Sequence, residues 1–418
     1  MRQVWQQYRQ QDFYRRKPAA VKAFFCTLPP RTFQTEVLQV MSEILSLYGN
    51  AAAITPQMII MWVIGGILIY LGIVKKMEPS LLVPMGFGAI LVNLPNSGAV
   101  TQTLNGVLTE GPLDVLFDAG IANEIFLVLL FIGIGAMIDF TPLLANPQMM
   151  LFGAAAQFGI FFTLSLATLF GFSLQDAASV GIIGAADGPT SIFVANYYHS
   201  NYLGAIIVAA YSYMALVPII QPPAIRLVTT KKERCIHMDY NPRSVSKTAK
   251  ILFPICITVV AGIIAPSSVA LVGFLMFGNL IRECGVLDSL SETAQGTLAN
   301  LITLMLGITV ASQMRADDFL NIRTIFILLL GLVAFIFDTV GGVLFAKIMN
   351  LFLKKKINPM IGACGISAFP MSARVITKMA LEEDPTNVLI MQATGVNVSG
   401  QVASVIAGGI ILSLVPLV

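Results

Sequence analysis

Between Lys76 and Arg226 the chain contains no lysine or arginine, and most of that interval is apolar. Few architectures tolerate such a stretch. Helices of about 20 apolar residues cross the hydrocarbon core of a bilayer, so the interval must enter or cross a membrane several times. The whole sequence agrees, with 56% hydrophobic residues, 11% charged residues and a mean hydropathy of +0.81, far from the composition of a soluble domain. Apolar windows follow one another from 57–74 to 386–418. Those at 80–94, 177–196 and 359–378 are interrupted by Gly or Pro and read as broken or re-entrant. The expectation is an all-α polytopic membrane protein of roughly 9–11 transmembrane helices, arranged as two inverted repeats.

Within the window 177–196 stands Asp187, in the run Gly184-Ala185-Ala186-Asp187-Gly188-Pro189-Thr190-Ser191. An ionisable side chain at membrane depth is by default part of an ion path. Proline has no N–H and disfavours helix in the residue before it. The helix therefore breaks at Asp187-Gly188 and frees backbone carbonyls, and carbonyls beside a carboxylate suit Na+. Irregular backbone at this depth is tolerated only inside protein or along a cavity. The bland alternative is a helix cap in a loop.

A weak repeat supports the first reading. Met85–Leu91 resembles Leu275–Ile281, and Leu130–Ile134 resembles Leu304–Ile308, in the same order. Counting on from Gly133 and Gly307 puts Asn358-Pro359 in the second half where Asp187-Gly188-Pro189 stands in the first. Asn358 and Asp187 are accordingly expected close together near mid-membrane. The second segment adds Gly362, Ser367 and Arg374, and a later cluster adds Asn397. These supply neutral oxygens, which suit a hard cation. Gly362 could equally serve close packing, Arg374 could hold an anionic group or snorkel, and Asn397 could be an interhelical donor. Tyr211-Ser212-Tyr213 lies in the span 203–223, and Asp139 and Asp338 are further acids in apolar surroundings, Asp139 open to a helix-end role.

The domains read as 1–50, a basic N-terminal extension; 51–225, a first membrane repeat; 226–250, a basic loop; and 251–418, a second repeat. Lys75-Lys76, residues 226–250 and Lys354-Lys355-Lys356 should be cytoplasmic by the positive-inside rule. The basic residues of 1–31 contradict the orientation this gives, which leaves two readings: a natural start at Met41, or a basic surface arm. The net charge of +3 is spread over short loops, so there is no nucleic-acid signal. The five cysteines have no metal spacing and read as packing residues. With no phosphate-binding glycine loop and only His199 and His237, nucleotide hydrolysis within the chain is not indicated.

Gly133-Ile134-Gly135-Ala136-Met137, Asp187-Gly188-Pro189-Thr190, Tyr211–Pro223, Met276–Leu280 and Asn358–Arg374 together resemble the beta subunit of the sodium-pumping, biotin-dependent decarboxylases acting on oxaloacetate, methylmalonyl-CoA or glutaconyl-CoA. The resemblance implies a membrane subunit of a primary sodium pump, a translocase that decarboxylates carboxybiotin and couples this to Na+ export. It implies catalytic roles for Asp187, Tyr213, Ser367 and Arg374, contact of Arg374 with the cofactor, and Na+ ligation by Asp187, Asn358, Gly362, Ser367 and Asn397. Carboxybiotin would be presented by a partner, with no covalent biotin on this chain. Expected partners are a carboxyltransferase and biotin-carrier alpha subunit, a small single-span gamma or delta subunit and further copies of this chain, in a bacterial cytoplasmic membrane. Departures from the family pattern are Ala185, Ile138, Gln392 and Val396. A cation-coupled secondary solute transporter is the alternative.

Overall fold

The computed structural model describes residues 41, 51–104, 107–238 and 244–416. The chain divides into Met1–Thr55 and Pro56–Val418, and the second unit holds every element below. The two readings of residues 1–40 fall outside the described residues.

Apolar composition and proline at the first helical turn start α1 (Pro56–Ile73) and α2 (Pro79–Val92), where the missing proline N–H costs nothing. A small antiparallel hairpin, β1 (Gln102–Leu104) with β2 (Val107–Thr109), is the one departure from helix among the described residues. Then come α3 (Pro112–Leu116), a π-helical turn at Phe117–Ala122 and α4 (Ile125–Met137). The first half continues with α5 (Thr141–Ala145), α6 (Met150–Ala156), α7 (Phe158–Leu169) and α8 (Leu174–Gly181). A 3₁₀ turn at Ile182–Ala185 follows, then α9 (Gly188–Tyr197) and the long α10 (Leu203–Val228).

The basic loop carries α11 (Lys231–Arg234). Beyond it lie α12 (Lys247–Ile264), α13 (Val269–Glu283), α14 (Asp288–Thr293), a π turn at Ala294–Leu298 and α15 (Ala299–Val310). The chain then forms α16 (Ala316–Phe319), α17 (Ile322–Phe352), a 3₁₀ turn at Pro359–Gly365, α18 (Met371–Glu383) and α19 (Ile390–Leu414).

Seven of these stretches are long and apolar enough to cross a membrane, or eight if the bent pair Pro112–Ala122 and Ile125–Met137, 61° apart, is one span. That is fewer than the 9–11 expected, because hydropathy alone does not count helix length. The 14 residues of α2 reach about 21 Å at 1.5 Å per residue, short of a core of about 30 Å. The window 80–94 is also not broken: Pro84 sits inside a continuous α2. The windows 177–196 and 359–378 are interrupted, each by a 3₁₀ turn.

The element types recur in order in the two halves: two helices, a π turn leading into a helix, a long helical run, a 3₁₀ turn leading into a helix, and a long closing helix. The halves also exchange partners, since α2 packs on α15 and α4 packs on α13. Outermost are α1 and α12, whose apolar side chains are mostly exposed, as a lipid-facing helix requires.

The basic stretches gather at one end. Lys347 of α17 pairs with Glu233 at 3.1 Å, Arg234 with Glu383 at 2.7 Å and Arg226 with Glu382 at 3.3 Å. Glu78, just after Lys75-Lys76, lies within electrostatic reach of Arg374 in α18; burial pushes its carboxyl up, and the guanidinium only partly opposes this. This is the end that the positive-inside rule expects on the cytoplasmic side.

Candidate functional site

Asp187 is the N-cap of α9, 3% exposed, and the break before it is sharp: Ala186 adopts φ 52°, left-handed backbone. The side chain is dense with donors. Oδ2 accepts from Thr190 Oγ1 at 2.7 Å, Ser404 Oγ at 2.9 Å and Ser367 Oγ at 3.2 Å, while Oδ1 accepts from the Thr190 backbone N–H at 3.5 Å. Three hydroxyls from three parts of the chain therefore meet on one carboxylate oxygen. Each hydroxyl has lone pairs of its own. A small hard cation entering here meets an anion and three oxygens that coordinate it once their hydrogens rotate away.

The two breaks touch. Ser367 N–H donates to Ala185 O at 2.9 Å, so the backbone of one break holds the backbone of the other. Ser367 follows the turn Pro359–Gly365 by two positions, and Asp187 follows Ile182–Ala185 by two. Ser367, and not Asn358, is thus the counterpart of Asp187. The counting from Gly133 and Gly307 went astray because the second 3₁₀ turn both starts three positions later and is three residues longer, with seven residues against four.

Asn358 caps the far end of that turn and is fully engaged. Its amide donates to Arg234 O at 2.7 Å and Ile236 O at 3.0 Å, and its Oδ1 accepts from Met360 N at 3.1 Å. Its side chain makes no contact with the Asp187 carboxylate. Gly362 is where the turn crosses α17: a Cβ there would lie 2.0 Å from Gly342 O, and one on Gly342 would lie 2.1 Å from Gly362 O. Close backbone approach, not the carboxylate, explains that glycine.

The freed carbonyls of the second break are not bare. Ala363 O accepts from Gln221 Nε2 at 2.7 Å, Cys364 O and Ile366 O from Asn397 Nδ2 at 3.2 and 2.8 Å, and Gly365 O from Gln157 Nε2 at 3.3 Å. Amide side chains thus satisfy backbone that lipid could not. Two of these amides leave a buried oxygen without a partner, Asn397 Oδ1 and Gln157 Oε1. An orphaned buried acceptor is costly, and a cation is one way to satisfy it. Helix α19 spans the arrangement, with Asn397 on the second break and Ser404, two turns later on the same face, on Asp187.

The tyrosine at the site is Tyr211. Its ring lies over Gly188, where a Cβ would come within 2.4 Å of it, and the phenol is within electrostatic reach of Asp187 with its hydroxyl unpartnered. Tyr213 points the other way, packs on Gly331 and donates to Leu328 O of α17. Arg374 is exposed and lines an open groove of about 440 Å³ with Thr377, Lys378 and Glu382. Asp187 and Ser367 are therefore together, whereas Tyr213 and Arg374 each lie elsewhere. Asp139 is a helix-end acid: burial alone would raise its carboxyl, but contact with Thr141 and the charges of Arg282 and Lys250 outweigh that and hold it below the usual carboxylate range. Sequence reasoning singled out the run Tyr211–Tyr213 but chose Tyr213 within it, and it missed Ser404, Gln157 and Gln221. The only signal of these three was polarity in apolar surroundings.

A family profile described as the Na+-transporting oxaloacetate decarboxylase beta subunit matches residues 57–415. The chain belongs to this family. It is 48% identical to the methylmalonyl-CoA decarboxylase subunit beta of Veillonella parvula over 87% of this chain and 94% of that one. It is 47% identical to the glutaconyl-CoA decarboxylase subunit beta of Acidaminococcus fermentans over 91% and 97%, and 43% identical to a probable oxaloacetate decarboxylase beta chain of Vibrio cholerae over 85% and 95%. The resemblance carried by Asp187-Gly188-Pro189-Thr190 and its neighbouring motifs is thereby borne out.

Proposed function

We propose that this chain is the membrane subunit of a decarboxylation-driven sodium pump, which decarboxylates carboxybiotin and couples that step to Na+ export. The observation that carries the reading is the meeting of both helix breaks at Asp187 and Ser367, beside buried oxygens that lack partners. The Na+ site consists of the Asp187 carboxylate, the hydroxyls of Thr190, Ser367 and Ser404, and the unpartnered oxygens of Asn397 and Tyr211. Moving one charge against 100 mV takes about 2.3 kcal/mol, so the site must close on one side before it opens on the other. The crossed breaks supply two such gates.

Carboxybiotin, carried by a partner, provides the driving reaction: its N–C bond breaks, the electron pair stays on the ureido nitrogen, which takes a proton, and CO2 leaves. Arg374 and Lys378, one turn apart in the open groove at the cytoplasmic end, present two cations to its carboxylate. The partners are an alpha subunit holding carboxyltransferase and biotin carrier, a small single-span gamma or delta subunit and further copies of this chain, in a bacterial cytoplasmic membrane. Which acid or acyl-CoA is consumed depends on the carboxyltransferase. A cation-coupled solute transporter, the alternative reading, is not favoured, since the relatives are decarboxylase subunits.

Protons and Na+ compete for the Asp187 carboxylate in this scheme. Raising pH therefore lowers the Na+ concentration for half-maximal CO2 release, by up to about tenfold per pH unit while protons dominate. A reconstituted complex assayed across pH and Na+ checks this. A Na+ requirement that is the same at every pH, or full-rate release without Na+, defeats the proposal.

The two tyrosines separate binding from packing. Tyr211→Phe removes an unpartnered hydroxyl, so stability holds while half-maximal Na+ rises about tenfold, or about 1.4 kcal/mol. Tyr213→Phe loses its bond to Leu328 O and costs about 1 kcal/mol of stability with little change in Na+ demand. The reverse pattern would move the site to Tyr213.

A further inference from the structure

A second buried acid lies on the far side of the first break. Asp338 of α17 is 1% exposed. The N–H groups of Gly159 and Ile160, at the start of α7, point at its carboxylate, with Ile160 N 3.1 Å from Oδ1. The other oxygen, Oδ2, has no partner. It lies against Gly184 of the 3₁₀ turn, where a Cβ would sit 2.6 Å from it, beside the Ala334 methyl and backbone. Asp187 lies three residues beyond Gly184, two past the end of that turn.

No cation balances this acid. Among the described residues, α6, α7 and the turn Ile182–Ala185 carry no ionisable side chain. The titratable groups on the other elements packed against α17 are Tyr211 and Tyr213 of α10, Cys364 of the second break, Asp317 and Asp318 of α16, and Asp176 of α8, which is held by Ser173 and Ser200. The cations on neighbouring helices sit at helix ends with partners of their own: Arg226 with Glu382, Arg323 with Tyr202, Lys347 with Glu233. An ionised carboxylate so placed keeps two donors on one oxygen and none on the other, at large desolvation cost. A sodium ion would need several oxygens, yet no hydrogen-bond donor or acceptor partners Oδ2. One proton on Oδ2 removes the charge.

We propose that Asp338 is a proton-binding residue of the transport cycle, protonated on Oδ2 at rest, and that it exchanges this proton as Na+ enters and leaves Asp187. The shared turn is the link: a shift of Ile182–Ala185 on Na+ binding uncovers Oδ2 beside Gly184. This rests on the sodium-pump reading, in which the nitrogen that loses CO2 needs one proton per turnover. The plain alternative is that Asp338 only caps the start of α7.

Infrared difference spectra of the purified complex, with Na+ minus without, decide between them. Expected is a protonated-carboxyl C=O band that changes on Na+ addition, shifts in deuterated water, persists in Asp187→Asn under the no-Na+ condition and is missing from Asp338→Asn. In vesicles, Asp338→Asn, which keeps the Oδ1 acceptor but cannot exchange a proton, slows Na+-coupled CO2 release by about tenfold or more, and Asp338→Glu restores part of it. A band unaltered in Asp338→Asn, no Na+ response in the wild-type band, or full activity of Asp338→Asn overturns the proposal. Should Asp338→Asn fail to assemble, the Na+ response of the wild-type band and its retention in Asp338→Glu still decide. Na+-independent CO2 release by the wild type would sink the pump reading instead, a result read separately from the spectra.

Discussion

Asp187→Asn abolishes Na+-dependent CO2 release and 22Na+ uptake in the assembled complex, by at least about 100-fold, or about 2.7 kcal/mol, while insertion and yield stay near wild type. The amide removes the only carboxylate among the groups that converge there, and with it the charge that draws the cation from water. Folding survives because two of the three hydroxyls that now donate to Oδ2 can turn and accept from the two N–H groups of the new NH2. The remaining mismatch costs about 1–3 kcal/mol. Flux assays on vesicles, with the detergent-extracted complex weighed in parallel, check both halves. Undiminished 22Na+ uptake would refute the assignment of the site.

The second large effect is structural. Gly362→Ala places a methyl carbon 2.0 Å from Gly342 O, and Gly342→Ala does the same in reverse. Both colliding partners are backbone, so neither swings away as a side chain tip would. The expected loss is about 4 kcal/mol or more, seen as failure to recover a folded complex. Gly66→Ala, with nothing within 4 Å of the added carbon, is the matched control and behaves as wild type. A stable Gly362→Ala protein with altered Na+ affinity would return that residue to the ion site.

What could be read from the residues, and what could not, follows from the kind of signal each carries. Asp187 announced itself because a charge in an apolar run and a Gly-Pro pair each narrow the possibilities, and they coincide. The second break was legible from Asn358-Pro359, but its partner was not: the register depended on a second 3₁₀ turn that starts three positions later and runs to seven residues where the first has four. Tyr211 and Tyr213 are two positions apart, about 200° around a helix, so choosing between them requires knowing which face looks inward. Ser404 and Gln221 are polar residues in apolar helices, and Gln157 sits at the junction of two. Such residues must find a partner, yet nothing in local sequence says which. The count of helices long enough to span came out at seven or eight among the described residues for a related reason, since hydropathy registers apolar composition and not the length of helix that carries it.

Helix α19 joins both breaks, and it is the last of the described elements to leave the ribosome. The 217 residues from Asp187 to Ser404 take about 10 to 40 seconds to synthesise at typical rates. Through that interval the first half sits in the bilayer with Asp187 lacking the hydroxyls of Ser367 and Ser404, and the second break lacks the amide that covers Cys364 O and Ile366 O. The ion path therefore cannot be finished piecemeal. A half-made chain holds the Asp187 carboxylate without two of its three hydroxyl partners, so the complete cluster forms only once the last helix has docked.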